Sequence, residues 1–439
     1  MTRKEFLAVS AAMAAAGVAR GRDGSMSRSG GCAVGASLPA QPSTLNPQPP
    51  PRNRHPYKGI DWATAHQIRG TTHVHCKTQK DLDVILKRIE FLTLSNYYPS
   101  APWWPLAKMT ENYYHIHHDF PVMVKGKRVE GPFDWNKIVE QWVDELPPEK
   151  RALFPFKEGG KIFHPLPRGV LEAPNAEHHS FGGDDGRRLN EKHADGNLHM
   201  NAPGSTFASG TFDQGGRFLS FKRGYHFGSA EYWKTAIDRM IEGLIYPDGG
   251  GVTINHPKWS GYNRMFLLKM LDHDPRVLGL EAISGGGINN EGYWDWVLST
   301  GRQCFGFFVP DHNIRRKDGS FGVNVLVTPE RSVHACLKAY RDGNFYGAKR
   351  GLNELKFTRI AFNDTTVEAE TDKPARLTVI TGLGVVKEVA KGTSIKWTLE
   401  KDYEWSAPQK NSHVFARVKA YALDGSGEEL FSQPYMLVP

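Results

Sequence analysis

Between about residues 60 and 350, short apolar runs alternate with helical stripes, and that alternation sets the expected fold. His66–His75 leads into a strand. Lys80–Arg88 follows as an amphipathic helix, with Leu82, Ile85, Leu86 and Ile89 at helical spacing. Glu90–Ser95 (EFLTLS) reads as a strand, Trp135–Leu146 as a helix and Val170–Glu172 as the end of a short strand. The rhythm continues with helix Tyr232–Ile245, strand Gly251–Asn255 (GVTIN), helix Arg264–Leu271 and strand Val277–Ile283. Helix Trp294–Ser299, strand Cys304–Val309 (CFGFFV) and helix Ser332–Asp342 complete it. Strands that take turns with helices predict a parallel sheet. A mostly closed barrel is its natural form, because polar candidates stand just past many of the strands. From about residue 354 the helical period is lost. Leu377–Thr381, Ser394–Leu399 and Val414–Ala422 are strand-like, which predicts a small antiparallel sandwich over 353–439.

The first residues have a different texture. Thr2-Arg3-Lys4-Glu5-Phe6-Leu7 precedes AVSAAMAAAGVA, so residues 1–19 read as an export signal peptide cut near Ala19. The pattern resembles a twin-arginine signal with Lys4 in place of the second arginine. Cys32 in SGGC lacks the leucine of a lipobox, which makes a lipoprotein the weaker reading. Residues 20–58, with NPQPPPRNRHP, read as a Pro/Gly-rich linker to a domain over 59–352. A periplasmic or secreted location follows, and no apolar run is long enough for a permanent membrane span.

A chain of 439 residues exceeds one ordinary core, so two or three domains are expected. The formal charge of +8 is spread among acids, without the basic stripe that nucleic acid requires. It is compatible with an anionic small molecule or glycan as substrate. Cys32, Cys76, Cys304 and Cys336 have neither zinc-knuckle nor CxxC spacing and read as buried thiols. The glycine runs at 249–251 and 285–287 lack the Lys-Ser/Thr of a phosphate loop, and no GxSxG elbow is present.

Eighteen histidines are the richer signal. In His73-Val74-His75, residues two apart on a strand point the same way, so both imidazoles face one side, as a shared metal ion requires. Glu172 ends another strand, and His199 lies at a strand end in NLHMNAPG. His256 follows GVTIN, and Asp311-His312 follows CFGFFVP. In a parallel barrel such strand ends converge on one face. Mixed imidazole and carboxylate donors suit zinc, manganese or iron.

This order of motifs, HVH, strand-end Glu, isolated His, NHP and DH, resembles the PHP (polymerase and histidinol phosphatase) family. The resemblance implies a distorted (βα)7 TIM-like barrel holding one to three divalent ions and hydrolysing phosphate esters. It implies His73, His75, Glu172, His199, His256 and Asp311 as ligands. It departs where the family carries an Asp-His pair, since that place reads Ser95-Asn96. It departs again at Asp311-His312-Asn313, where either Asn313 replaces a ligand or His312 serves from a shifted register.

A leaving group needs a proton, and Glu177, His178 and His179 in APNAEHHSF are candidates for supplying it. Asn96, Tyr97, Tyr98, Trp103 and Trp104, with Lys258 and Trp259 after NHP, are candidates for binding substrate. His115, His117 and His118 read as a surface loop. Two functions fit. One is an exported metal-dependent hydrolase of a phosphoester or sugar derivative. The other is a barrel that has lost catalysis and binds a carbohydrate or anion.

Overall fold

The computed structural model describes residues 53–76, 78–95, 163–181, 198–207, 231–314, 321–349, 355–363, 365–399 and 415–437. It gives backbone alone at 122–124 and 127–129. The signal peptide, Cys32, most of the linker, His115, His117, His118 and the helix expected at 135–146 lie outside these residues. So do Asn96, Tyr97, Tyr98, Trp103 and Trp104. The chain divides into residues 1–48 and 49–439, and everything described belongs to the second unit.

Helices form where the apolar spacing and the caps agree. Helix α1 (Gln79–Ile85) starts at Thr78, whose hydroxyl accepts from the Asp81 N–H while the Asp81 carboxylate accepts from the Thr78 N–H. Helix α2 (Trp233–Glu242) buries Trp233, Ala236, Ile237, Met240 and Ile241, the one-sided stripe of a 3.6-residue period. Helix α3 (Pro257–Ser260) is a single turn opened by proline, and α4 (Arg264–His273) is capped by Asn263. Helix α5 spans Glu291–Leu298. Helix α6 (Val333–Asp342) runs from a Ser332 cap to Gly343, whose φ of 75° ends it in the left-handed conformation. Among the described residues no helix is long and apolar enough to cross a membrane.

The protein is mixed α/β, with two large sheets. The first runs in the order β15 (Phe357–Asn363), β16 (Thr366–Thr381), β18 (Phe415–Ala422), β19 (Glu429–Phe431), β14 (Phe345–Lys349), β13 (Gly322–Thr328), β1 (His66–Gly70), β2 (Phe91–Leu92) and β5 (Leu171–Glu172). Strand β17 (Val385–Thr398) adds to β16, and β20 (Tyr435–Met436) to β18. The second runs β11 (Ile288–Asn289), β10 (Val277–Ser284), β9 (Val252–Ile254), β7 (Leu198–Asn201), β6 (Glu177–Phe181) and β8 (Glu231–Tyr232), with β12 (Phe305–Phe308) on β10. Strands β3 (Val122–Val124) and β4 (Lys127–Val129) pair with each other.

Parallel pairing joins β1 to β2, β2 to β5, β9 to β10 and β10 to β12. The expectation of a parallel sheet fails at β1–β13, β6–β7 and β7–β9, which are antiparallel. The alternation of elements does not reveal this, because β1 pairs with a strand some 250 residues away. Strands from Phe357 onward continue the first sheet through the β14–β19 ladder.

Hydrogen bonds stitch the two sheets together at one end. The Asn175 amide donates to the Thr72 and Thr93 carbonyls and accepts from the Ala202 N–H, tying the ends of β1, β2 and β7. The Asp311 N–H donates to the His73 carbonyl, and the His75 N–H to the Asp311 carbonyl, tying β1 to the end of β12. A core built from β7, β9, β10 and helices α2, α4 and α5 lies behind this end. Each of its fully buried large side chains contributes roughly 2 kcal/mol.

Candidate metal centre

Glu177 opens β6, and four imidazoles surround its carboxylate. His75 Nε2 lies 3.0 Å from Oε2, while His199 Nδ1, His256 Nε2 and His73 Nε2 lie 2.9, 3.2 and 3.4 Å from Oε1. The Asn255 amide also donates to Oε1 at 3.3 Å. Asp311 completes the group, with Oδ1 3.3 Å from His73 Nε2 and 3.4 Å from His75 Nε2. The two nitrogens of the HVH pair are 3.0 Å apart.

These spacings test whether a cation fits. Donors held about 2.1 Å from one ion lie about 3.0 Å apart at octahedral angles and about 3.4 Å apart at tetrahedral ones. The distances between His73 and His75, and from each of them to Asp311 and to a Glu177 oxygen, fall in that band. Asp311 Oδ1 is buried and accepts no hydrogen bond, which is the state of a ligand atom aimed at a cation. Two overlapping donor groups result, His73/His75/Asp311 and His73/Glu177/His256. Glu177 and His73 border both.

Electrostatics agree with the geometry. Burial opposes charge on Glu177, but His73, His199 and the hydrogen bonds from His199 and His256 hold its carboxyl well below the usual range. Burial also opposes charge on His73, yet Asp311, Glu177 and Glu281 raise it well above the ordinary imidazole value. Three buried or half-buried carboxylates therefore draw positive charge to this point, and a divalent cation meets that demand where protons otherwise would.

Backbone geometry sharpens the site. His256 (φ 25°) and Asp311 (φ 49°) are two of three non-glycine residues with positive φ among the described residues. Such strain costs of order 1–3 kcal/mol each and persists where the surroundings impose it. The His199 N–H donates to the Tyr262 hydroxyl at 2.7 Å, and that hydroxyl donates to the His199 carbonyl. His256 Nδ1 lies 2.9 Å from Ser260 Oγ in α3, leaving Nε2 to face Glu177. Gly285 sits where a Cβ would come within 2.6 Å of Asp311 Cβ and 2.9 Å of its Oδ2. Gly285→Ala is therefore expected to push Asp311 out of register. Metal affinity, measured by calorimetry, should fall by about tenfold or more, with about 1–3 kcal/mol lost from stability.

The structure thus brings His73, His75, His199, His256 and Asp311 together. His312 stacks on His75 at 4.0 Å between ring centres, with its side chain 45% exposed and Nε2 3.8 Å from Asp311 Oδ1. Burial and the His75 neighbour bring its pKa down to about 4. Glu172 lies on β5, paired in register with Leu92, and belongs to neither donor group. The carboxylate in the cluster is Glu177, considered in the sequence only as a proton donor. His178 stacks on Phe207, on a core contact. His179 pairs in register with His199, and its side chain lies outside the described residues.

Trp259 is 68% exposed, with its ring 4.9 Å from that of His256 and 5.8 Å from that of His199. Lys258 is exposed beside it. Ser95 supplies no ligand, because its hydroxyl accepts from the Val74 N–H and donates to the Val74 carbonyl. Glu281, which approaches two of these histidines, shows in the sequence only as one acid inside the apolar run VLGLEAIS.

The chain matches no protein-family model and no curated protein. Among solved structures it aligns with a two-domain protein from Bacteroides vulgatus ATCC 8482 described as containing a predicted PHP-like metal-dependent phosphoesterase. Identity is 12%, coverage is 88% of this chain and 98% of that one, and the TM-score is 0.35. At that score the likeness decides neither the fold nor the chemistry of this chain.

Proposed function

We propose that this chain is a metal-dependent hydrolase acting on a phosphoester or sugar-derived substrate, whose Glu177 would help hold the divalent cations. The observation that carries this reading is the convergence of four imidazoles on the buried Glu177 carboxylate, with Asp311 at ligand spacing from two of them. His73, His75, Asp311 and Glu177 would hold one ion, and Glu177, His199 and His256 a second. A bound divalent ion supplies Lewis acidity and brings the pKa of water toward neutrality. The chain's part is to keep Glu177 ionised, to aim the imidazole lone pairs, and to seal the inner side of the site with the apolar core. Trp259 offers a flat exposed face beside His199 and His256 on which a ring or sugar can stack, and Lys258 a charge for an anionic group.

The same reading takes 59–352 as a distorted (βα)7 barrel, closed through Asn175 and the Val74–Asp311 contact. It takes 353–439 as a sandwich module, and residues 1–19 as the signal that exports the enzyme to the periplasm or beyond. The catalytically silent binder is the second reading, and the use of the Ser95 hydroxyl as a backbone clamp favours it.

The test is metal content of the purified protein by mass spectrometry, followed by turnover of a generic aryl phosphate with added manganese or zinc. His73→Ala and His256→Ala should lose metal and turnover together. Bound metal without turnover of phosphoesters or glycosides would support the binder. Absence of any bound metal would remove the hydrolase.

A further inference from the structure

Glu281 lies in the middle of β10, a strand whose eight residues are all buried, and its side chain is fully enclosed. An isolated carboxylate there costs several kcal/mol unless it is fully hydrogen-bonded. Its two oxygens reach two different ligand residues. Oε1 lies 2.7 Å from His73 Nδ1, and Oε2 accepts from the His256 backbone N–H at 2.7 Å. The parallel register of β9 and β10, with Ile254 opposite Leu280, delivers both residues to that place.

Resting on the metal-centre reading above, we propose that Glu281 is the positioning residue of this site, a single carboxylate that sets two ligands on separate strands. At His73 it accepts a hydrogen bond from Nδ1–H, which fixes the proton there and leaves the Nε2 lone pair pointed at His75, Asp311 and Glu177. At His256 it holds the backbone at a φ of 25°, a conformation the chain does not otherwise favour. Both partners are donors, so both oxygens must accept. Glutamine has the same shape but one acceptor, and would set an N–H against an N–H.

Manganese binding to Glu281→Gln and Glu281→Ala is therefore expected to weaken by about 10–100-fold against wild type, measured by calorimetry. The metal-free Glu281→Gln protein loses stability as well, because a buried N–H then faces an N–H, so affinity is compared on folded protein below its melting temperature. Wild-type affinity in Glu281→Gln overturns the proposal and leaves the metal centre standing. A wild-type protein that binds no manganese overturns both. If the variants do not fold, nitrogen NMR of the zinc-loaded wild type decides. His73 protonated at Nδ1 and bound through Nε2 supports the assignment, and the opposite tautomer overturns it.

Discussion

Glu177→Gln is expected to strip the protein of its metal, while Glu172→Gln keeps it. Four residues separate the two acids, yet their surroundings differ. Glu177 is 3% exposed, held ionised by its neighbours, and within 3.4 Å of four imidazole nitrogens. Glu172 ends β5 and belongs to neither donor group. Glutamine at 177 removes the negative charge that balances the cations and turns an N–H toward the lone pairs of ligands. Breaking a buried charge pairing costs roughly 3–5 kcal/mol, which is about 10³-fold in affinity. After dialysis, Glu177→Gln should retain under about a tenth of the wild-type metal, and turnover should fall by a comparable factor. Glu172→Gln should stay within about threefold of wild type on both measures. The reverse pattern would make Glu172, and not Glu177, the carboxylate ligand.

How far the sequence carried this site depends on what kind of signal each residue left. His256 and Asp311 are legible because each follows an apolar run, and His73 and His75 because imidazoles two apart on a strand share one face. Glu177 was misplaced because Ala173-Pro174-Asn175-Ala176 hides a strand restart. The period-2 stretch EHHSF, short and polar, reads as loop when its partner β7 is not yet known. Glu281 left the faintest trace, since a lone acid in an apolar strand becomes meaningful only once its burial is seen.

Helices were read well because their period is local. Helices α1, α2, α4 and α6 fall inside or within two residues of their expected spans, and α5 starts a turn earlier than Trp294. Strands β13 and β14 were not anticipated, and β16 begins at Thr366 rather than Leu377. Thr371-Asp372-Lys373-Pro374 interrupts the apolar pattern of β16, and the ladder with β17 shifts register there. Pairing across some 250 residues is a tertiary fact that no window of sequence contains.

Arg417→Ala is expected to be the most destabilising single change away from the metal centre, because that side chain joins the C-terminal strands to the rest of the molecule. Arg417 is 1% exposed on β18 and reaches α5. It makes two hydrogen bonds to Asp295 (2.9 and 3.0 Å) and one to Glu291 (2.9 Å), with its guanidinium 4.7 Å from the Trp294 ring centre. Lys419 adds a bond to Glu291 at 3.0 Å and another to Glu429 at 2.9 Å. Removing the guanidinium leaves the Asp295 and Glu291 carboxylates facing a cavity, with Lys419 still bonded to Glu291. A loss of about 3–5 kcal/mol in urea denaturation at neutral pH is expected.

The pH dependence gives an independent measure of the same network. Burial opposes ionisation of Glu291, but Arg417 and Lys419 bring its pKa from 4.5 down to about 2. Its folded pKa is depressed, so the stabilisation is present above about 4.5 and is lost as pH falls toward 2. The full difference is worth roughly 3 kcal/mol. In Arg417→Ala the principal cation is gone and burial prevails, so Glu291 takes up its proton at higher pH. The variant should therefore lose less stability than wild type between pH 5 and 3, and the two curves should approach each other on acidification. A constant gap across that range, or a loss under 1 kcal/mol at pH 7, would show that the network is not what couples α5 to β18.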